Sequence, residues 1–206
     1  MIHAMSIKDI FSLLAVALTF IGFAPYIRAI HKGTTKPHVF SWIIWGLTTS
    51  VVFFAQLSAD GGRGVIAIGV SGAITLYIAA LAYRHKADVT ITKSDWLFLI
   101  LALSSLPAWY FAADPSIAVL ILTTVDLLGF GPTLRKTYLR PFEENLSFFA
   151  LFAVRNGLVI AALSHYSLAT LLFPLAVGIS CLLLIVLLLI RRRSLAMTKD
   201  IAVEHK

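Results

Sequence analysis

Long apolar stretches separated by short polar segments run through the whole chain of 206 residues. A helix that crosses a membrane needs about 20 mainly apolar residues to span roughly 30 Å of hydrocarbon. Seven stretches reach or approach that length, at 9–30, 39–58, 64–83, 96–112, 116–133, 146–163 and 168–190. The connections between them are too short for a soluble domain. The pattern therefore predicts an all-α integral membrane protein with seven transmembrane helices.

Composition and charge agree with a membrane protein. Charged residues make up 13% of the chain, whereas a soluble domain carries roughly 25%. The net charge of +7 would suggest nucleic acid in a soluble protein, but here the basic residues lie between apolar stretches, as at the anionic face of a membrane. The run Arg191, Arg192 and Arg193 is interpreted as an anchor on lipid headgroups.

The distribution of Lys and Arg predicts the orientation. Fourteen of the 17 lie in connections on one side of the predicted helices, Lys8 and Arg63 lie on the other, and Arg155 lies within a helix. Cytoplasmic loops retain Lys and Arg. We therefore expect a multi-pass protein of the plasma (inner) membrane with its N-terminus outside and its C-terminus in the cytoplasm. The first stretch lacks the cleavage site of a signal peptide.

An internal repeat is the strongest motif. Residues 19–28 (TFIGFAPYIR) align without gaps on residues 126–135 (DLLGFGPTLR), with Gly, Phe, Pro and Arg identical. A basic loop with a proline and then a serine, Ser41 or Ser147, follows each copy. Two copies of three helices joined by one linker helix form a parallel repeat of the 3+1+3 type.

This repeat divides the chain into four parts. We predict a first three-helix repeat at 1–86, a linker helix at 87–113, a second three-helix repeat at 114–193 and a cytoplasmic tail at 194–206.

The arrangement resembles the PQ-loop superfamily, which includes the SWEET (MtN3/saliva) sugar transporters, the half-sized bacterial SemiSWEETs and lysosomal amino-acid exporters. The chain looks like a bacterial-type seven-helix member. The resemblance implies transport by alternating access, with Pro25 and Pro132 as hinges. Tyr26 and Thr133 stand where the family has glutamine after the proline, and the helical prolines and asparagines of SWEETs are missing. Sugar specificity is therefore not implied.

The two prolines have a physical reason to act as hinges. A proline inside a helix removes one backbone hydrogen bond and bends the helix, and Gly22 and Gly129 lie three residues before Pro25 and Pro132. The alternative is that both prolines end their helices before a loop.

Asp126 and Arg155 are charges inside predicted helices, where an isolated charge costs at least about 2.5–3.5 kcal/mol. Helices five and six are consecutive and antiparallel, so we expect the two charges to pair, with Asn156 beside them. The matching positions of the first repeat are Thr19 and Thr49. The charges either bind a proton, a cation or a polar or zwitterionic solute, or they form a structural lock.

Other polar and aromatic residues have two interpretations each. Trp45 either stacks on a substrate ring or packs in the core or against lipid. Ser71, Thr75 and Ser180 either line a cavity or allow helices to approach closely. The sequence contains no metal-ligand spacing and no adjacent nucleophile and base, so we expect no metal, no cofactor and no enzyme activity.

The predicted function is a membrane transporter, a uniporter or secondary carrier, that moves a small polar solute such as a sugar, an amino acid or a vitamin. Its expected partners are the lipid bilayer, the solute and a coupled proton or cation, with no nucleic acid, and a homo-oligomer is left open. The alternative is a non-transporting membrane sensor or assembly protein that retains the fold and has a closed core between the two triplets of helices.

Overall fold

The computed structural model describes residues 5–33, 39–85, 93–139 and 141–204. These residues form α-helices joined by turns and two short 3₁₀ helices, and they contain no strand. The helices are α1 (Ile7–His31), α2 (Val39–Ser58), α3 (Ile66–Arg84), α4 (Lys93–Ala112), α5 (Pro115–Leu139), α6 (Leu146–Ala162) and α7 (Leu168–Glu204). The predicted all-α class is confirmed for this part of the chain.

Four of the described helical segments are long and apolar enough to cross a membrane: Ile7–His31, Val39–Ser58, Gly62–Arg84 and Leu168–Ala196. The apolar parts of α4, α5 and α6 are shorter, at Leu99–Ala112, Pro115–Phe130 and Leu146–Ala162. Large apolar side chains such as Leu13, Phe54 and Leu183 are more than half exposed, which lipid tolerates and water does not. These features indicate a membrane-embedded protein, while the number of crossings stays a prediction.

Local polar groups set the beginnings of the helices. Ser6 and Asp9 form a capping box at α1, in which the Asp9 amide donates to Ser6 Oγ and the Ser6 amide donates to Asp9 Oδ2. Asn145 Oδ1 accepts the Phe148 amide at the start of α6. Each cap supplies an acceptor for an amide that the first helical turn leaves unpaired.

The helices pack in an order that repeats. α3 packs against both α1 and α2, and α7 packs against both α5 and α6. We call α1–α3 the first triplet and α5–α7 the second triplet. Across their interface α1 packs against α6 and α2 against α5. If α1, α2 and α3 are exchanged for α5, α6 and α7 in that order, the same set of contacts results. α4 packs on α5 and α2 and takes no part in this set.

Neither repeat proline ends its helix. Pro25 lies inside α1, which continues to His31, and Pro132 lies inside α5, which continues to Leu139. The alternative that the prolines only terminate their helices is therefore wrong. Their action as hinges stays a prediction.

One end of the bundle, which we call the Lys8 end, is tied together across the triplets. Lys8 Nζ donates to the Leu163 carbonyl at 2.8 Å, and the Ser164 amide donates to the Gly61 carbonyl at 3.0 Å. A Cβ on Gly64 would lie 2.7 Å from the backbone at Ala162 and Leu163, so the two chain segments are in close contact. The first and second triplets therefore meet without a gap at this end.

A compact core fills the same half of the bundle. It consists mainly of small and branched apolar residues drawn from all seven helices: Ala15, Val52, Ala55, Ala67, Ile68, Ala102, Val119, Leu122, Val159, Ala169 and Phe173. Beside it Gln56 Nε2 of α2 donates to the Thr170 carbonyl of α7 at 3.0 Å. The core and this bond close the Lys8 half to solvent.

Candidate functional site

A cavity of about 250 Å³ lies between the triplets, on the side of the core away from the Lys8 end. All six helices of the two triplets contribute to its wall. Its aromatic lining is Phe23, Trp42, Trp45, Phe130, Phe148, Phe149, Phe152 and Phe173, and its polar lining is Thr49, Ser71, Thr75, Asp126, Thr133 and Arg155. The result is a largely aromatic chamber with one acidic and one basic group.

Arg155 of α6 ties the second triplet to the first. Its Nε donates to Thr19 Oγ1 of α1 at 3.2 Å, and its Nη2 donates to Ser71 Oγ at 2.6 Å and to the Ala67 carbonyl of α3. Its Nη1 donates to Asn156 Oδ1 at 3.0 Å. The side chain is 3% exposed. The structure therefore brings Thr19, Ser71, Arg155 and Asn156 together in one buried network, at the cavity end nearest the core.

The acceptors in this network are themselves fixed. Thr19 Oγ1 donates to the Ala15 carbonyl at 2.8 Å, and Ser71 Oγ donates to the Ala67 carbonyl at 2.9 Å. Asn156 Nδ2 donates to the Phe152 carbonyl at 2.8 Å, which leaves its Oδ1 free to accept from Arg155. The guanidinium is thus held in place by neutral oxygens.

Asp126 lies on α5 in the cavity wall and is half-buried. No hydrogen bond or ion pair joins its carboxylate to another described residue. The ion pair predicted between Asp126 and Arg155 is therefore not formed. The reason is the packing order: α7 lies between α5 and α6, and α6 packs against α1 instead. Both charges nevertheless line the same cavity.

Two glycines of the repeat allow close contacts across the triplet interface. A Cβ on Gly22 of α1 would lie 2.5 Å from the ring of Phe152 on α6, so the absence of a side chain lets the helices meet. Gly129 of α5 faces Trp45 of α2, whose Nε1 would lie 3.3 Å from such a Cβ. Gly22 and Gly129, predicted as hinge residues, are therefore packing positions as well.

The remaining predicted residues are distributed as follows. Trp45, Thr49 and Thr75 line the cavity. Ser180 is half-buried on α7 and does not belong to the lining. Its role, like the functional roles of the others, stays a prediction.

Sequence reasoning missed most of the aromatic lining. Phe148, Phe149 and Phe152 lie at the start of α6, and Phe130 lies one residue after Gly129. Phenylalanine is ordinary in an apolar helix, so composition alone does not single these residues out. Their spacing of three and four residues on α6 is a signal that marks one helix face.

Arg191 and Arg192 contact protein backbone, which the interpretation as a lipid anchor did not foresee. Arg191 Nε donates to the Tyr138 carbonyl at 3.0 Å, and Arg192 donates to the Pro141 and Glu144 carbonyls at 3.1 and 2.8 Å. These two arginines therefore fix the end of α5 and the loop that leads to α6.

Within the described residues no group of three or more His, Cys, Asp and Glu side chains is placed to hold a metal ion. Comparison of the chain with protein-family models, with curated proteins and with solved structures finds no match in any of the three.

Proposed function

We propose that the protein is a carrier, a uniporter or secondary transporter, that moves a small polar solute such as a sugar, an amino acid or a vitamin across the membrane. The observation that carries the proposal is the cavity: it lies at the interface of the two triplets, contains two charged groups and stops at a tightly packed end. A binding chamber closed on one side is what a carrier needs in each of its two states.

The packing order supports a 3+1+3 repeat as the basis of the movement. The main contacts within and between the triplets recur after exchange of α1–α3 for α5–α7, while the smaller contact of α2 with α7 has no counterpart of similar size between α6 and α3. Equivalent residues also meet: Gly22 contacts Leu151 and Phe152, while Gly129 contacts Trp45, the repeat counterpart of Leu151. Two similar three-helix units around a central cavity are the arrangement found in transporters with a parallel repeat. In this proposal α4 is the linker and the chain is a PQ-loop, SWEET-like protein.

The proposed orientation follows the distribution of basic residues. With the Lys8 end outside and the opposite end in the cytoplasm, the structure corresponds to a state closed to the exterior, with the cavity on the cytoplasmic side. Opening to the exterior would require separation of Lys8 from Leu163 and of Ser164 from Gly61. Pro25 and Pro132, each within a helix that borders the cavity, are the proposed bend points.

A non-transporting sensor or assembly protein with this fold is the alternative. Such a protein has no need of a solute-sized space between the triplets, whereas this chain has one with polar groups in its wall. The cavity therefore favours the carrier.

Uptake by purified protein in sealed liposomes tests the proposal. We expect saturable uptake of at least one of radiolabelled D-glucose, L-phenylalanine and thiamine, above that of protein-free liposomes. We also expect faster exchange when the same solute is loaded inside, because a carrier returns occupied. Uptake that rises linearly with concentration and does not respond to internal solute would contradict a carrier.

A further inference from the structure

We propose that the solute is a neutral zwitterion with an apolar body, of the kind represented by an α-amino acid with a large apolar or aromatic side chain. The solute would place its carboxylate towards Arg155 and its ammonium towards Asp126, with its body among the cavity rings. This inference deepens the proposed function and rests on it, since it concerns the same site.

The first support is the unbalanced charge of Arg155. Four of its five N–H donors bond to oxygens of Thr19, Asn156, Ser71 and Ala67, all of which are uncharged. A buried cation held only by neutral acceptors retains its full attraction for an anion. One Nη1 donor has no acceptor among the described residues, and the side chain lines the cavity. A solute carboxylate supplies both the missing acceptor and the missing charge.

The second support is the unpartnered carboxylate of Asp126. It lines the same cavity from α5, and none of its oxygens lies within 4.0 Å of a basic nitrogen of another described residue. A carboxylate in a largely aromatic wall has few polar protein groups around it. An ammonium group of the solute supplies a charge-assisted hydrogen bond.

Together the two charges select against simpler ions. A solute with only an ammonium group is attracted by the Asp126 carboxylate but brings a second positive charge close to Arg155. A solute with only a carboxylate gains Arg155 and is repelled by Asp126. A zwitterion satisfies both groups and leaves the filled cavity neutral.

The rest of the lining defines the body of the solute. Eight aromatic side chains surround the chamber, which suits an apolar or ring-bearing group. Two of the polar lining groups are already engaged, since Ser71 Oγ donates to the Ala67 carbonyl and Thr75 Oγ1 to the Ser71 carbonyl. Their protons are not available to the several hydroxyl groups of a sugar. A volume of about 250 Å³, near the lower end for ligand pockets, fits a molecule of amino-acid size.

Isothermal titration of the purified full-length protein with four probes tests the inference. L-phenylalanine, phenylethylamine and 3-phenylpropionate share one ring and differ only in their charged groups, and D-glucose has no charge. We expect L-phenylalanine to bind at least about tenfold more tightly than each of the others, because only it meets both charges. Equal or tighter binding of phenylethylamine, 3-phenylpropionate or glucose would overturn the inference, as would no binding of L-phenylalanine.

A variant of Asp126 gives a gain of binding that a misfolded protein cannot show. Asp126→Asn removes the repulsion of an anion, so 3-phenylpropionate should bind at least about tenfold more tightly than to the wild type, while L-phenylalanine weakens by a similar factor. Asp114→Asn is the matched control, because Asp114 lies in the exposed turn before α5 and asparagine also caps helices. The control should change neither affinity. Unchanged affinity for both probes in Asp126→Asn would contradict the proposal.

Failure of this inference and failure of the carrier proposal give different results. Saturable uptake of glucose or thiamine without binding of L-phenylalanine would overturn the zwitterion and leave the carrier intact. Binding of L-phenylalanine with the expected order of probes, but without exchange across liposomes, would support the site and contradict transport.

Discussion

Arg155 is the residue that joins the two triplets at the centre of the molecule. It belongs to the second triplet, and three of its hydrogen bonds end on α1 and α3 of the first. Because its partners are neutral, the residue stabilises the closed arrangement and still presents a positive charge to the cavity. Under the proposed function, binding of a solute and contact between the triplets would therefore involve the same side chain.

Thr19→Val tests this connection. Valine keeps the shape of threonine and removes the acceptor for Arg155 Nε, so we expect a loss of about 1–3 kcal/mol of stability. The measurement is the melting temperature in one detergent, where each kcal/mol corresponds to about 2–4 °C for a chain of this size. Thr124→Val is the control, because Thr124 makes the same bond to its own helix, to Leu120, and is exposed. Equal melting temperatures for the two variants would contradict the role of Arg155.

Gly22→Ala tests the close contact of α1 with α6. The added Cβ would lie 2.5 Å from the Phe152 ring, so the ring has to move, and we expect a cost of about 1–3 kcal/mol. Gly157→Ala on the same interface helix α6 adds a Cβ with nothing within 4 Å. That control should gain about 0.5–1 kcal/mol, because alanine favours helix over glycine. Melting shifts of the same sign in both variants would show that the contact is less tight than described.

Helix α7 holds the other two helices of the second triplet in place. It packs between α5 and α6, and Arg191 and Arg192, which follow its apolar part, fix the segment between those helices. The guanidinium of Arg191 also lies 4.2 Å from the centre of the Tyr138 ring. The order of helices in the second triplet is therefore held at both the apolar and the basic part of α7.

Arg192→Gln tests this arrangement. The variant shortens the side chain and removes the guanidinium that donates to the Pro141 and Glu144 carbonyls, and loss of about 1.5 kcal/mol corresponds to roughly tenfold in local opening. We expect about tenfold faster amide hydrogen exchange at 142–146. Arg193→Gln changes the same charge at an exposed neighbour and should leave that exchange unchanged. Equal protection of these amides from exchange in both variants would show that Arg192 does not hold the loop.

The elements and the candidate charges could be predicted from the sequence, and their spatial order could not. Apolar length predicts where the helices lie, and rarity of charge singles out Asp126 and Arg155. The expected pair assumed that α5 and α6, neighbours in sequence, are neighbours in space. Two helices joined by a short loop can also be separated in space by a third helix. Here α7 is that third helix, between α5 and α6. Nothing in the sequence of the arginines that follow the apolar part of α7 shows whether they bind a lipid phosphate or a backbone carbonyl.

For the whole molecule, one half is filled and the other holds the cavity. The filled half contains the apolar core and the contacts of Lys8 and Gly61 with the second triplet. The other half has aromatic walls with Asp126 and Arg155 in them. In the proposed carrier, relative movement of the two triplets would exchange the closed end for the open one.

Distances between spin labels across the Lys8 end, measured in liposomes, show whether the two triplets separate at this end. The labels are placed at Ile7 of α1 and at His165 in the turn before α7, both exposed, in a Cys181→Ser background that has no other cysteine. A second pair at Ile7 and Ile66 lies within the first triplet and serves as the control.

We predict two populations for the pair across the triplets, one at the short distance of the closed end and one longer, with proportions that shift when L-phenylalanine is added. The control pair should give a single, constant distance. A single short distance across the triplets under all conditions would contradict a carrier.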